Sequence, residues 1–92
     1  MQLKFSYILS KIEKLIARFL SKPKDLTWEE LIMVLKFYGF EELTTGKTSG
    51  SRRKFANKNK DIISLHKPHP KPIVKYYVIE QVLEYLREKG KL

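Results

Sequence analysis

The sequence has no cysteine. This absence excludes a disulfide framework, a thiolate metal site and a cysteine nucleophile, so the fold must be stabilised by packing. Long apolar runs are also absent, because no stretch approaches the roughly 18 residues that a membrane-spanning helix needs. Charged residues interrupt the apolar N-terminal segment before it can form the core of a signal peptide. We therefore expect a cytoplasmic protein without a membrane partner.

Length and composition are those of a small globular protein. The 92 residues leave room for one hydrophobic core at most. Hydrophobic residues make up 42% and aromatic residues 12% of the chain, which is enough for a packed interior despite the many charges. Internal repeats and low-complexity tracts are absent from the sequence, so we expect a single folded unit.

Acidic residues are in short supply. Nineteen Lys and Arg face ten Asp and Glu, for a formal net charge of +9, which favours polyanions or an anionic surface as partners. Most of the excess lies in residues 46–77, which hold nine basic residues and one acid, Asp61. A surplus in the middle of the chain predicts one basic surface rather than a basic tail. The alternative is a well-solvated face that binds nothing.

Two amphipathic helices are predicted in the N-terminal part of the chain. Apolar residues recur at helical spacing along Phe5–Leu20, and Pro23 ends this helix because it has no amide hydrogen to donate. Thr27 and Glu30 fit a capping box at the start of the second helix, and Gly39 fits its left-handed C-cap. The predicted buried stripe of the second helix is Trp28, Leu31, Ile32, Leu35 and Tyr38.

Short segments typical of strands follow the second helix. They are Phe40–Thr44, Ser51–Ala56 and Ile62–His66. Turn-forming residues from Asn57 to Asp61 predict a hairpin between the last two strands. A final helix is predicted over Val74–Lys89, with Gly90 as its stop. The order helix, helix, three strands, helix favours an α+β fold, with an antiparallel three-stranded sheet and helices on one face.

A glycine-rich, basic segment is the first candidate for function. Residues 46–50 combine glycine, serine, threonine and lysine and lead into the basic strand. Amides, hydroxyls and cations together suit contact with a phosphate backbone; the alternative is a plain connection. A P-loop is rejected because its first glycine is missing and no helix is predicted after Thr48. The candidate phosphate-binding residues are Lys47, Ser51, Arg52, Arg53, Lys54 and, beyond the next strand, Lys67.

The two histidines of the chain lie close together in Leu65–Pro72. Prolines 68, 70 and 72 favour polyproline II, which predicts His66 and His69 on the same side, about 9 Å apart along the axis. Such a pair can act as base and acid across a phosphodiester while nearby cations stabilise the added negative charge. The substrate would then be RNA, whose 2′-hydroxyl is the nucleophile in metal-free cleavage. Alternatively, His66 packs at a strand end and His69 is only a loop residue.

Other polar residues give weaker predictions. Two histidines without cysteine leave the ligand shell of zinc incomplete, so we expect neither a metal nor another cofactor. The acidic stripe Glu80, Glu84 and Glu88 has i, i+4 spacing and serves solubility or a basic partner. Tyr76 and Tyr77 lie beside the basic segment, where one can stack on a base while the other joins the core.

Taken in order, several of these motifs resemble the HicA family of toxins. The resemblance covers residues 27–92 and rests on Tyr38-Gly39-Phe40, on Gly50-Ser51 before a basic strand, on the histidine-proline loop and on a helix ending at Gly90. It implies a double-stranded-RNA-binding-like α-β-β-β-α fold for residues 25–92, with residues 1–24 as an amphipathic helical extension. It also implies a ribosome-independent mRNA endonuclease, neutralised by a HicB antitoxin that covers the active site.

Two features depart from the family pattern. Many members carry the catalytic histidine directly after the glycine-serine pair, where this chain has Arg52, and arginine cannot act as a general base near neutral pH. Either His66 or His69 has taken over proton transfer, or the chain binds RNA without cutting it. The helix Phe5–Leu20 is also additional, and it either covers an edge of the core or offers a surface to a second copy or the antitoxin. A membrane-surface role for this basic helix is disfavoured by Glu13.

Overall fold

The computed structural model describes residues 3–44 and 52–92. In chain order the elements are α1 (Leu3–Leu20), α2 (Trp28–Phe37), β1 (Glu41–Glu42), β2 (Arg52–Ala56), β3 (Ile62–His66) and α3 (Tyr76–Glu88). The strands form one antiparallel sheet in the order β1-β2-β3. The predicted α+β fold, with two helices before three antiparallel strands and a helix after them, is therefore confirmed.

A capping box starts α2, as the sequence predicts. The Thr27 hydroxyl accepts a hydrogen bond from the Glu30 amide at 3.1 Å, and the Glu30 carboxylate accepts one from the Thr27 amide at 3.0 Å. Arg18 near the end of α1 binds the same carboxylate at 2.9 Å and that of Asp25 at 2.7 Å. The Thr27 amide and the Arg18 guanidinium hold the pKa of Glu30 below its usual value. These contacts tie the end of α1 to the start of α2.

The end of α2 explains why β1 is shorter than predicted. Gly39 has a φ of 92°, a left-handed conformation that favours glycine at a C-cap. The following amide, that of Phe40, donates to Leu35 O at 2.8 Å and closes the helix, while the Phe40 side chain is fully buried. The sheet pairing of β1 therefore begins only at Glu41, which lies opposite Ala56 of β2.

The hydrophobic core lies between the helices and one face of the sheet. Phe55, Ile63 and Leu65 of the β2–β3 hairpin are buried on this inner face, and the ring of Trp28 lies 5.9 Å from that of Phe55. Each large apolar side chain buried in this way contributes about 1.5–3 kcal/mol. The helices supply Phe19 from α1, Trp28, Leu31, Val34 and Leu35 from α2, and Val78, Ile79, Val82, Leu83 and Leu86 from α3. Through Phe19, α1 shares this core.

The turn of the predicted β2–β3 hairpin is held by its own side chains. Asn57 Oδ1 accepts from the amides of Asn59 and Asp61 at 3.0 and 2.9 Å, and Asn57 Nδ2 donates to Asp61 Oδ2 at 3.1 Å. Lys89 at the end of α3 reaches Asp61 Oδ1 at 3.1 Å. The Asn57 amide and the Lys89 ammonium lower the pKa of Asp61, and the same contact raises the pKa of Lys89. The hairpin is thus fixed against α3.

The last helix begins two residues later than predicted. Lys75 is the N-cap and has an extended backbone conformation, so Val74 belongs to the connection before α3, and its amide donates to Leu26 O at 2.7 Å. Tyr76 and Tyr77 are 51% and 56% exposed, and the prediction that one of them joins the core is wrong. Val78 and Ile79 occupy the inward positions of the first turn instead. No helix in the described part of the chain is long and apolar enough to cross a membrane.

Candidate nucleic-acid interface

The face of the β2–β3 hairpin turned away from the core carries the basic residues of β2. Side chains alternate between the two faces of a strand, and Phe55 and Leu65 mark the inner face by their burial. Arg52, Lys54 and His66 alternate with these residues and are exposed. We call the exposed surface formed by Arg52, Lys54, Ser64 and His66 the outer face.

The strand register places Arg52 directly opposite His66. Lys54 lies opposite Ser64, two residues further along the same face. Side chains at directly opposed positions have Cβ atoms about 5 Å apart, and diagonal neighbours about 7–8 Å. One guanidinium, one ammonium and one imidazole can therefore reach the same phosphate group. The outer face thus brings the predicted catalytic residue His66 next to the predicted phosphate-binding residues Arg52 and Lys54.

The two cations of the outer face have no ion-pair partner in the part of the chain that the structure describes. Among the ion pairs of residues 3–44 and 52–92, none involves Arg52 or Lys54. The acidic residue of β1 that shares this face, Glu41, lies opposite Ala56 at the far end of the hairpin. The end of the sheet that carries Arg52 and His66 is therefore its positive end, and it suits an anion.

Arg53 has a different environment from its two neighbours. It alternates onto the inner face, is half-buried, and its Nε lies 3.4 Å from Glu42 Oε2 of β1. Its NH1 also donates to the carbonyl of Arg52 at 3.2 Å. The structure thus separates the three consecutive basic residues predicted to bind phosphate: two lie on the outer face and one is engaged with a carboxylate. Lys47 and Ser51, the remaining residues of that group, lie outside the described residues.

The segment after β3 leads from the outer face to a cleft. Residues 67–72 run back over the start of α2, where the Trp28 amide donates to Pro72 O at 2.8 Å and Thr27 forms an isolated antiparallel bridge with Ile73. The cleft between the two segments has a volume of about 480 Å³. We call it the proline cleft, after its lining residues Thr27, Trp28, Glu29, Lys67, Pro68, His69, Pro70 and Pro72.

The two predicted catalytic histidines therefore occupy adjoining but different surfaces. His66 ends β3 on the outer face, and His69 is exposed on the wall of the proline cleft. Lys67, which was predicted to bind phosphate, lines the same cleft directly after His66. No group of three or more histidine, aspartate or glutamate side chains suited to hold a metal ion occurs among the described residues.

Two parts of this site were missed by the sequence analysis. The pairing of Arg52 with His66 had a usable signal, because a turn over residues 57–61 with Ala56 opposite Ile62 also places Arg52 opposite His66. The proline cleft had no such signal. It depends on the contact between Trp28 and Pro72, which are far apart in the sequence.

A separate apolar surface lies on the two N-terminal helices. A groove of about 290 Å³ between α1 and α2 is lined by Ile12, Glu13, Ile16, Ala17, Leu20 and Phe37. Leu20 and Phe37 are 44% and 55% exposed, so the lining of the groove is accessible and mostly apolar. We call this surface the α1–α2 groove.

Comparison with known proteins links the second part of the chain to one family. A sequence model of the family described as HicA toxin of bacterial toxin-antitoxin matches residues 28–87, which run from the first residue of α2 almost to the end of α3. No curated protein and no solved structure matches the chain significantly. The match includes the outer face and leaves α1 outside.

Proposed function

The chain belongs to the HicA toxin family of bacterial toxin-antitoxin systems, and we propose that it is a type II toxin that cleaves mRNA in the cytoplasm, without a ribosome and without a metal. The observation that carries the proposal is the pairing of Arg52 with His66 on the exposed, positive end of the hairpin. A cation and an imidazole at facing positions can hold a phosphodiester and move a proton beside it.

The proposed reaction is a transesterification within the RNA. The 2′-oxygen attacks the adjacent phosphorus, and the bond from phosphorus to the 5′-oxygen breaks. The products are a 2′,3′-cyclic phosphate and a 5′-hydroxyl. In this scheme His66 takes the proton of the 2′-hydroxyl, and His69 gives a proton to the leaving 5′-oxygen. Arg52 and Lys54 stabilise the negative charge that builds up on the phosphate.

The position of His66 supports its role as a replacement base. Arg52 occupies the position that holds the catalytic histidine in many family members, and arginine stays protonated at neutral pH. An imidazole on the facing residue of the next strand lies about 5 Å away at the level of the Cβ atoms. The general base can thus be supplied by β3 instead of β2, while the substrate still binds to the same face of the sheet. Lys47, Ser51 and Lys67 complete the proposed contacts with the RNA backbone.

A cleavage assay in EDTA tests the proposal. We expect the purified chain to cut a labelled structured mRNA and to leave 2′,3′-cyclic phosphate ends. His66→Ala and His69→Ala should each reduce the rate by about 10²–10⁴-fold, the usual contribution of a general base or acid. RNA affinity should be largely kept in both variants. Lys36→Ala, which removes an exposed cation of α2, is the control and should cut at the normal rate. Cleavage that survives in the His66→Ala/His69→Ala protein would remove the histidines from the mechanism.

The alternative function is a non-catalytic RNA-binding module that uses the same outer face. The observation in its favour is Arg52 itself, because it replaces a base by a group that can only bind phosphate. In that case the chain binds RNA with strong salt dependence, and the RNA stays intact under conditions where an active HicA relative cuts it. The assay above therefore separates the two functions.

Membership of this family implies a cognate antitoxin. We propose that a HicB-like antitoxin covers the outer face and competes with RNA there. The exposed Arg52 and Lys54 would then pair with acidic residues of the antitoxin. Addition of the purified antitoxin should release bound RNA from the toxin. The Arg52→Ala/Lys54→Ala protein should bind the antitoxin more weakly, and unchanged affinity would place the antitoxin elsewhere.

The α1–α2 groove supports a proposal of self-association through the N-terminal helix. A second copy presents the same apolar surface, so one two-fold contact would cover both grooves. Because each copy carries a net charge of +9, self-association should strengthen as salt screens the repulsion. Sedimentation velocity should show a larger species that Leu20→Ser/Phe37→Ser abolishes. A monomer at all salt concentrations would contradict this proposal without affecting the nuclease.

A further inference from the structure

We propose that the proline cleft is a nucleobase pocket that selects guanine in the nucleotide next to the reacting phosphate. This inference rests on the proposed function, because it assigns the base specificity of the same RNA site. The observations that carry it are the cleft itself, the chemistry of its lining and its continuity with the outer face.

The size and lining of the cleft suit a small, flat, mostly apolar ligand. Its volume of about 480 Å³ falls within the range of about 300–1,000 Å³ that is typical of small-molecule sites. Three prolines and Trp28 supply apolar surface, and Glu29, Lys67 and His69 supply a few polar groups. Single-stranded RNA is commonly read by extruded bases that pack against such walls and bond through their polar edges.

The cleft is already formed in the free protein. Its two sides are joined by backbone hydrogen bonds, from Trp28 to Pro72 O at 2.8 Å and from Val74 to Leu26 O at 2.7 Å. Trp28 is 5% exposed and packs on Phe55 in the core, so the floor of the cleft is rigid. A ligand that enters it pays little ordering cost, which favours affinity.

The polar groups of the cleft suit the edge of a base, because the lining combines one carboxylate, that of Glu29, with the cation Lys67 and with His69. The carboxylate of Glu29 can only accept hydrogen bonds. Guanine offers two parallel donors on its Watson–Crick edge, N1–H and the N2 amino group, and a carboxylate can accept both at once. Uracil has a single donor on that edge, and adenine and cytosine each have one amino group there. Glu29 therefore discriminates in favour of guanine.

Continuity along the chain connects the pocket to the proposed chemistry. His66 on the outer face is followed directly by Lys67, which lines the cleft. A residue of extended chain spans about 3.3 Å, so a nucleotide whose phosphate lies against His66 can place its base beyond Lys67. The scissile bond would then lie beside a guanosine.

The single tryptophan of the chain gives a test that does not depend on cleavage. The indole N–H resonance of Trp28 in a ¹H–¹⁵N NMR spectrum is followed while 5′-GMP or 5′-UMP is added. We expect 5′-GMP to shift this resonance saturably and 5′-UMP to bind at least tenfold more weakly. Glu29→Gln should weaken 5′-GMP binding about tenfold, to the level of 5′-UMP. The matched control Glu84→Gln, an exposed carboxylate of α3, should bind 5′-GMP like the wild type.

Two results would refute the proposal that the proline cleft is a nucleobase pocket. One is a Trp28 resonance that does not respond to either nucleotide. The other is an equal response of the wild-type and Glu29→Gln proteins, when thermal unfolding shows both to be folded. If the pocket fails in this way while the chain still cuts RNA, only the specificity is wrong. If 5′-GMP binds as expected and RNA is neither bound nor cut, the proposed nuclease fails and the pocket remains.

Discussion

Removing the two cations of the outer face should reduce the salt dependence of RNA binding, whereas removing two cations elsewhere should not. The perturbation is the double variant Arg52→Ala/Lys54→Ala. The matched control is Arg53→Ala/Lys36→Ala, which removes the same formal charge. Arg53 is half-buried and lies 3.4 Å from Glu42, so it is engaged within the protein. Both variants have the same net charge, and only the position of the lost cations differs.

The magnitude follows from counterion release. Each phosphate contact with single-stranded nucleic acid contributes about 0.7 to the slope of log affinity against log salt. If Arg52 and Lys54 each hold one phosphate, the double variant loses about 1.4 of the slope. Between about 50 and 200 mM salt, wild-type affinity should therefore fall about sevenfold more than that of the variant. The control should keep most of the wild-type slope.

The assay is fluorescence anisotropy with a 2′-O-methyl RNA, which has no free 2′-hydroxyl and so cannot be cut. Loss of the Arg53–Glu42 ion pair should cost at most about 1 kcal/mol of stability, so the control protein stays folded. The account assigns Arg52 and Lys54 to the RNA-binding surface and leaves Arg53 out of it. An equal loss of slope in the two variants would refute this assignment. It would leave only the non-specific effect of net charge.

Three further predictions concern the scaffold that positions the outer face and the proline cleft. Because the pKa of Glu30 is lowered in the fold, the stability it contributes is complete above its ordinary pKa of about 4.5 and is lost as pH falls through the lowered value. Chemical denaturation below neutral pH should show a shallower loss of stability in Glu30→Gln than in the wild type. Phe55→Ala should lower the free energy of unfolding by about 3–5 kcal/mol, measured with urea, because Phe55 is fully buried against Trp28; a loss below 1 kcal/mol would contradict its place in the core. Gly39→Ala should cost about 1–2 kcal/mol, because a φ of 92° strains any residue with a Cβ, and an unchanged melting temperature would count against that conformation.

Local signals were sufficient to predict the elements of the fold. The capping box is formed by Thr27 and Glu30, which are three residues apart, so the sequence alone predicts it. Both of its hydrogen bonds are present in the structure. The hairpin at Asn57–Asp61 is equally local, because its turn is held by contacts among its own residues. These short-range interactions hardly depend on the rest of the molecule.

Features that depend on distant parts of the chain could not be predicted in the same way. The chain enters α3 only at Tyr76, after a connection in which the Val74 amide donates to Leu26 O, a residue far away in the sequence. Tyr76 and Tyr77 are both exposed because Val78 and Ile79 lie on the side of the first helical turn that meets the core. The environment of Arg53 differs from that of Arg52 because side chains alternate between the two faces of β2 and because Glu42 of β1 lies close to Arg53. The proline cleft likewise exists only once Trp28 and Pro72 have met.

The central claim is that Arg52 and His66 act as a facing pair on one surface, and exchanging the two residues tests it most directly. His66→Arg leaves two arginines and no base on the outer face, so cleavage of RNA in EDTA should fall by at least about 100-fold. The exchanged protein, Arg52→His/His66→Arg, has its base on the other strand of the same pair, and it should cut within about tenfold of the wild-type rate. Cleavage by His66→Arg at the wild-type rate, or an exchanged protein no more active than His66→Arg, would contradict the account.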